Sequence, residues 1–266
     1  MTDSVVVRRD RPGATVRIDS PRRRNALTPT IVKQLHEAFQ DLHGEKGVRA
    51  VILTGSSEVF CSGTDLSLLE EQIAIAEHDP AILGQWHGEV EDLLQLILML
   101  LRFPKPVIAA VNGVAAGSGL ALALACDCVL GGESSIWGLP EARRGLVAGL
   151  AGPLLAQRAG LSVSRRMMLD GAWLDAHQAA ACGIADEIVA DDLVWARASQ
   201  RVNELSSVSP ASQLLGKQLC NETIGETLLT QLSNGAANMA AARITDSARR
   251  GVGGFVHKRT VNWQES

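Results

Sequence analysis

The sequence predicts an α/β fold closed by a helical C-terminal region, and three observations carry that prediction. Short apolar runs bounded by Gly and Pro alternate with helix-period segments through the first 192 residues. A nearly continuous apolar stretch at 107–130 is interrupted by glycines 113, 117 and 119, which reads as strand, turn and buried helix. Strand signals then stop at Asp192, and three helical segments follow at 193–205, 211–222 and 223–249. The expected division is therefore a ligand-binding core over 1–192 and a helical packing or oligomerisation region over 193–266.

Taken in order, Val5 to Val7 and Thr15 to Ile18 flank Pro12 and Gly13, the pattern of a hairpin. Thr28 followed by Pro29 is an N-cap with proline at the first helical position. Ile31, Leu35, Ala38, Phe39 and Leu42 then recur at helical spacing. A short apolar strand at 50–54 ends in a Gly-Ser-Ser turn, and the chain, polar from Asp79, becomes a strongly apolar helix by 93–101. After the unit at 107–126, a strand at 127–130 precedes Ser135, Ile136 and Trp137. A loop over 138–153 leads to a helix at 154–159. Neither an internal repeat nor a low-complexity segment is present.

Composition narrows the function. Of the 266 residues 46% are hydrophobic, which allows a sizeable core, but only 3% are aromatic and none is Tyr, so that core is aliphatic. A net charge of -4 without a long basic block argues against nucleic acid as a partner. The stretch 107–130 is long enough for a membrane span, yet its Asn112, Ser118 and Asp127 and its glycines favour the soluble reading, with no membrane partner. Five cysteines, at 61, 126, 128, 182 and 220, form no CxxC pair and no zinc-like set, as expected of free thiols in a reducing compartment. The first ten residues have no apolar leader segment, so the cytoplasm is the expected location.

Two small-residue loops can carry chemistry: 59–66, which includes Ser62, Gly63 and Thr64, and 111–120, which includes Gly117 and Ser118. Backbone N–H groups at the start of a helix after such a loop favour negative charge, as an oxyanion hole requires. A dinucleotide phosphate loop does not fit. Gly117 and Gly119 lack the third glycine, and no acidic residue ends a strand some twenty positions on.

The segment KPVIAAVNGVAAGSGLALALACD at 105–127 resembles the central signature of the crotonase (enoyl-CoA hydratase/isomerase) superfamily. RNAL at 24–27, FCSGTDL at 60–66, WGLPEARRGLVAG at 137–149 and GFVHKR at 254–259 resemble further family segments, in the family's order. The resemblance implies a spiral of ββα units with C-terminal helices that build a homotrimer or a dimer of trimers. It implies an acyl-CoA thioester substrate, with coenzyme A entering only as part of it, and no metal or redox cofactor.

Carried over by motif, the oxyanion donors are the backbone N–H groups of Thr64 and Ser118, the latter standing where the family usually has glycine. Glu141 of the LPE segment is the acid/base. Hydratases carry a second glutamate where this chain has Ala121, which moves no proton. A single glutamate points to an isomerase that moves one proton along the acyl chain. The position of a dienoyl isomerase aspartate is Gly149, and the aspartate nucleophile of a dehalogenase is also missing. Two alternatives stay open. One is a hydratase or hydratase-lyase recruiting a second group from 67–92, with Glu89, Glu91 or His87 as candidates. The other is a non-catalytic acyl-CoA binder. For coenzyme A the candidates are Arg24, with Arg22 or Arg23 as alternates, the backbone of Ala26 and Ser62, and Asp65, Leu66 and Gly117. Phe255, Lys258 and Arg259 resemble the segment that reaches the nucleotide from a neighbouring subunit. Histidines 36, 43, 78 and 177 match no motif.

Overall fold

A computed structural model describes residues 3–76, 78–79 and 81–265. Part of the 67–92 segment, Glu77 and Pro80, therefore lies outside the described residues, as do the first two residues, which belong to the stretch expected to carry no leader. The expected hairpin is present: β1 (Ser4–Asp10) pairs antiparallel with β2 (Gly13–Asp19). Helix α1 (Pro29–His43) starts where its cap predicts, Thr28 Oγ1 accepting the Ile31 N–H at 3.2 Å, and all five of its helix-period apolar residues are buried.

The chain then repeats one unit. The elements run β3 (Ala50–Gly55), β4 (Val59–Cys61), α2 (Leu66–Ala76) and α3 (Ile82–Arg102), then β5 (Val107–Val111), β6 (Val114–Ala116) and α4 (Ser118–Leu124). Next come β7 (Cys128–Gly132), β8 (Ile136–Gly138) and α5 (Ala151–Ala159). Each unit places its longer strand in one sheet and its shorter strand in another. The connection continues through α6 (Leu161–Asp170), β9 (Trp173–Asp175), α7 (Ala176–Ala181) and β10 (Glu187–Val189). The six-stranded sheet has the order β1-β2-β3-β5-β7-β10 and the four-stranded sheet β4-β6-β8-β9. Within them β3-β5-β7 and β4-β6-β8 are parallel. The 107–130 stretch is thus β5, β6, α4 and β7, and no described helix is long and apolar enough to cross a membrane.

Helix α8 (Val194–Ser206) packs Val194, Ala198 and Val202 onto Ala50, Ile52, Ile108, Ala110 and Leu130 of the larger sheet. The two remaining expected helices are each divided. α9 (Pro210–Gln218) runs into a π-helical turn, Leu219–Ile224, before α10 (Glu226–Arg243). Thr245 then caps a separate helix α11 (Asp246–Val256), its Oγ1 accepting the Ala248 N–H at 3.1 Å. Four further differences concern local signals. The 138–153 loop contains a 3-10 turn, Pro140–Arg144, and α5 begins three residues early, because Pro153 sits in its first turn, where no N–H partner is needed. Helix α2 fills a stretch without a clear helical period. A capping box of Asp175 and Gln178 starts α7.

Two asparagines fix the loops that matter. Buried Asn25 donates from Nδ2 to the carbonyls of Ser56 (3.0 Å) and Val59 (2.6 Å), and its Oδ1 accepts the Ser20 N–H (2.9 Å). Asn112 exchanges two bonds with the Gly55 backbone, its Nδ2 donating to the carbonyl at 2.9 Å and its Oδ1 accepting the N–H at 3.2 Å. Both β3–β4 and β5–β6 turns are therefore tied to neighbouring chain, which sets the positions of the segments that follow.

Candidate active site

The first loop leaves β4 at Cys61 and reaches α2 at Leu66. Its Gly63 has φ +88, and its carbonyl accepts the Leu27 N–H at 2.8 Å, while the Asp65 N–H donates to the Leu27 carbonyl at 3.4 Å. In this parallel bridge the backbone polar groups of the middle residue, Thr64, face the opposite way. Asp65 is buried and works on the loop itself. Its Oδ1 accepts the N–H groups of Ser67 (3.0 Å) and Leu68 (3.1 Å), and its Oδ2 is clamped by Arg23. Arg23 also pairs with Asp3 at 3.1 Å, so this member of the arginine run is held by two carboxylates. Cys61 is buried, and desolvation pushes its thiol up to about 12, so it is no nucleophile near neutrality.

The second loop joins β6 to α4. Gly117 has φ +54, donates its N–H to the Gly138 carbonyl at 2.9 Å, and faces Glu141 so closely that a Cβ there would collide with Oε1. Ser118 is the first residue of α4, so its N–H has no carbonyl four residues back inside the helix. The two loops touch: Thr64 Oγ1 lies 3.2 Å from Ser118 Oγ. Among the described residues neither backbone N–H, that of Thr64 or of Ser118, donates to another group. Two adjacent donors are thus available to an oxygen placed between the loops.

Glu141 arrives from the 3-10 turn after β8. The residue is half-buried, and its Oε2 is shielded and has no hydrogen-bond partner. Burial raises its pKa to about 7, partly offset by its own backbone N–H and by the charge of Arg144. Such a carboxyl accepts and releases a proton near neutral pH. Arg143 turns away, donating from Nε to the carbonyls of Asp170 (2.8 Å) and Gly171 (3.2 Å). Arg144 instead stacks on Phe255, with Cζ 4.0 Å from the ring centre.

Glu141, Thr64, Ser118 and Gly117 line one small cavity together with Leu66, Leu69, Leu146, Val147, Met239 and Arg243. The space left between them is about 30 Å³, room for a water or two. A groove of about 500 Å³ runs outward from it, lined by Arg22, Arg24, Ala26, Asp65, Trp173 and Phe255 among others. Cavity and groove share Ser62, Thr64, Leu66 and Arg144. The structure therefore brings together ten of the eleven candidate residues. Lys258 lines neither space in this chain.

Ala121 is wholly buried within α4 and is not part of the cavity wall. In the 67–92 segment, His87 and Glu91 are exposed, and Glu89 is engaged by Arg243 at 3.2 Å and by Gln72 at 2.7 Å. Gly149 packs against the backbone of Gly235, where any side chain would collide. Arg144, Trp173, Met239 and Arg243 were not anticipated as site residues. They reach the site by tertiary packing from three separate segments, and no local spacing announces them.

A family model for enoyl-CoA hydratase/isomerase matches residues 13–266. The 2,3-dehydroadipyl-CoA hydratase of Escherichia coli is 29% identical over 266 residues, covering 99% of each chain. The short-chain-enoyl-CoA hydratase of Clostridium acetobutylicum is 27% identical and covers 97% of each. Among solved structures, carnitinyl-CoA hydratase from Mycobacterium avium superposes with a TM-score of 0.82 at 28% identity, covering 100% of both chains. The matched family model spans both loops, the Glu141 turn and the C-terminal helices, and on that ground the chain belongs to the enoyl-CoA hydratase/isomerase family of the crotonase superfamily, enzymes that act on acyl-CoA thioesters.

Proposed function

We propose that the protein is an enoyl-CoA isomerase in which Glu141 is the sole proton shuttle. The acyl group enters the cavity, and the thioester oxygen sits between the backbone N–H groups of Thr64 and Ser118. Glu141 removes a proton from C2 of a 3-enoyl-CoA. The electron pair spreads over the conjugated system to the thioester oxygen, where the two donors stabilise the charge, and Glu141 returns the proton at C4. The product is the conjugated 2-enoyl-CoA, and atoms and charge balance without a co-reactant.

The observation that carries this reading is that Glu141 is the only carboxylate lining the cavity among the described residues, with a pKa of about 7. The groove accounts for the nucleotide. Arg24 and Arg22 offer charge to phosphates, Ala26 and Ser62 flank the base, and Lys258 would act from a neighbouring subunit. Assembly as a homotrimer or a dimer of trimers is supported by apolar side chains exposed in the C-terminal helical region, Leu215 at 64%, Ile224 at 74% and Ile244 at 60%.

Hydration of a 2-enoyl-CoA is the second reading, favoured by the names of the relatives just described, and it requires Glu141 to activate water unaided. The test supplies purified protein with a 3-enoyl-CoA and, separately, with a 2-enoyl-CoA. Conjugation of the first without hydration of the second supports the isomerase. Efficient hydration would overturn it in favour of the second reading.

A further inference from the structure

The cavity wall holds a charge that the isomerase mechanism does not use. Arg243, the last residue of α10, is only 6% exposed, yet it lines the cavity. Its Nη1 donates to Glu89 Oε2 at 3.2 Å. Glu89 Oε1 accepts from Gln72 Nε2 (2.7 Å) and Gln85 Nε2 (3.0 Å), and Gln72 Oε1 accepts from the Trp86 indole at 3.0 Å. This network fixes the plane of the guanidinium from behind.

A guanidinium carries five N–H donors in a rigid fork, and the bond to Glu89 uses one. Among the described residues Arg243 takes no other hydrogen-bond partner, and the one sealed, unpartnered side-chain atom is Glu141 Oε2. The remaining guanidinium nitrogens are therefore not sealed off, and Arg243 belongs to the cavity lining. Leu66, Leu69, Leu146, Val147 and Met239 give the cavity an apolar part of its lining. An alkyl terminus pushed against Arg243 would strip water from those donors and replace it with nothing, whereas a terminal oxygen would take the water's place.

We infer that Arg243 is a specificity residue: the preferred substrate is a short acyl-CoA whose chain ends in a hydrogen-bond-accepting oxygen, a carboxylate or a hydroxyl, rather than a plain alkyl group. This deepens the reading of the cavity as the acyl site and rests on it. The small space sets the chain short, and the neutral Arg243–Glu89 pair accepts an uncharged oxygen as well as a carboxylate.

Saturated thioesters test it without relying on turnover. Butyryl-CoA, its terminal-alcohol analogue and succinyl-CoA have the same number of acyl carbons, and calorimetric titration compares them with free coenzyme A. At least one oxygen-ended ester is expected to bind about tenfold tighter than butyryl-CoA, the scale of a hydrogen bond to a charged group. The hydroxyl and carboxylate arms separate the two oxygen types. The preference should vanish in Arg243→Met combined with Glu89→Gln, which avoids stranding a buried carboxylate and keeps the glutamine contacts. Equal binding of all three esters, each tighter than coenzyme A, would overturn this inference alone, as would a preference that survives in the double variant. Esters binding no tighter than free coenzyme A would overturn the acyl-site reading and the inference with it.

Discussion

Two carboxylates matter to the acyl cavity, Glu141 in its wall and Glu89 behind the lining residue Arg243, and their surroundings differ in kind. Glu89 has a partner on each oxygen: Arg243 on one, Gln72 and Gln85 on the other. Glu141 has a shielded oxygen with no partner, and burial lifts its pKa to about 7. The same functional group is therefore a fully partnered structural anchor in one place and an adjustable proton carrier in the other. The difference comes from what lies within hydrogen-bond reach of each carboxylate.

Loss of the anchored carboxylate should show as unfolding. Glu89→Ala strands the Arg243 cation in a site where it is only 6% exposed, and chemical denaturation should show a loss of about 3 to 5 kcal/mol. A loss under about 1 kcal/mol would mean that the network holds little together.

The other carboxylate should show the opposite sign. Glu141 has its pKa raised from 4.5 to about 7 in the folded state. Below pH 4.5 both states hold the proton, and no penalty arises. As pH rises through that window the unfolded chain releases the proton first, and stability is lost until the folded pKa near 7 is passed. Glu141→Gln removes this dependence. It should be more stable than the parent by up to about 3 kcal/mol at pH 8, with the two melting curves converging toward pH 4.5. Parallel curves across that range would remove the basis for treating Glu141 as an unpartnered carboxyl.

Position matters next to charge. Gly117→Ala puts a methyl group against Glu141 Oε1 at a backbone with φ +54. The carboxyl must retreat, and kcat should fall about 100-fold while acyl-CoA binding changes less. The smallest effect belongs to Thr64→Ala, which keeps the backbone N–H and loses only the hydroxyl contact with Ser118. Its kcat/KM should fall by less than about tenfold, and a larger loss would place the hydroxyl itself in the chemistry.

How much of this was legible in the sequence follows the range of the interactions. The hairpin, the Thr28 cap and α1 rest on neighbours within a few residues, and the amino-acid order displays them. The breaks before and after α10 are less visible, because Gly225 and Thr245 interrupt segments of otherwise helical composition. Glu141, Thr64 and Ser118 could be grouped only through their motifs. Their convergence depends on β4, β6 and β8 lying side by side in one sheet. Arg243 lay beyond reach. It meets Glu89 across 154 positions of chain, and nothing in the composition of α10 distinguishes it from a surface arginine. The same holds for Arg144, whose neighbour Arg143 looks equivalent in sequence but bonds to the α6 terminus instead.

The most direct test of Glu141 as the lone proton carrier is the rate of 3-enoyl-CoA conjugation by Glu141→Gln beside the parent, followed from pH 5 to 9. The parent's kcat/KM should rise with pH to a plateau above about 7, as the carboxylate form fills. The glutamine variant should fall at least about 1000-fold and lose that pH dependence. A variant that keeps activity within about tenfold of the parent, with the same pH profile, would show that another group moves the proton and would contradict the account.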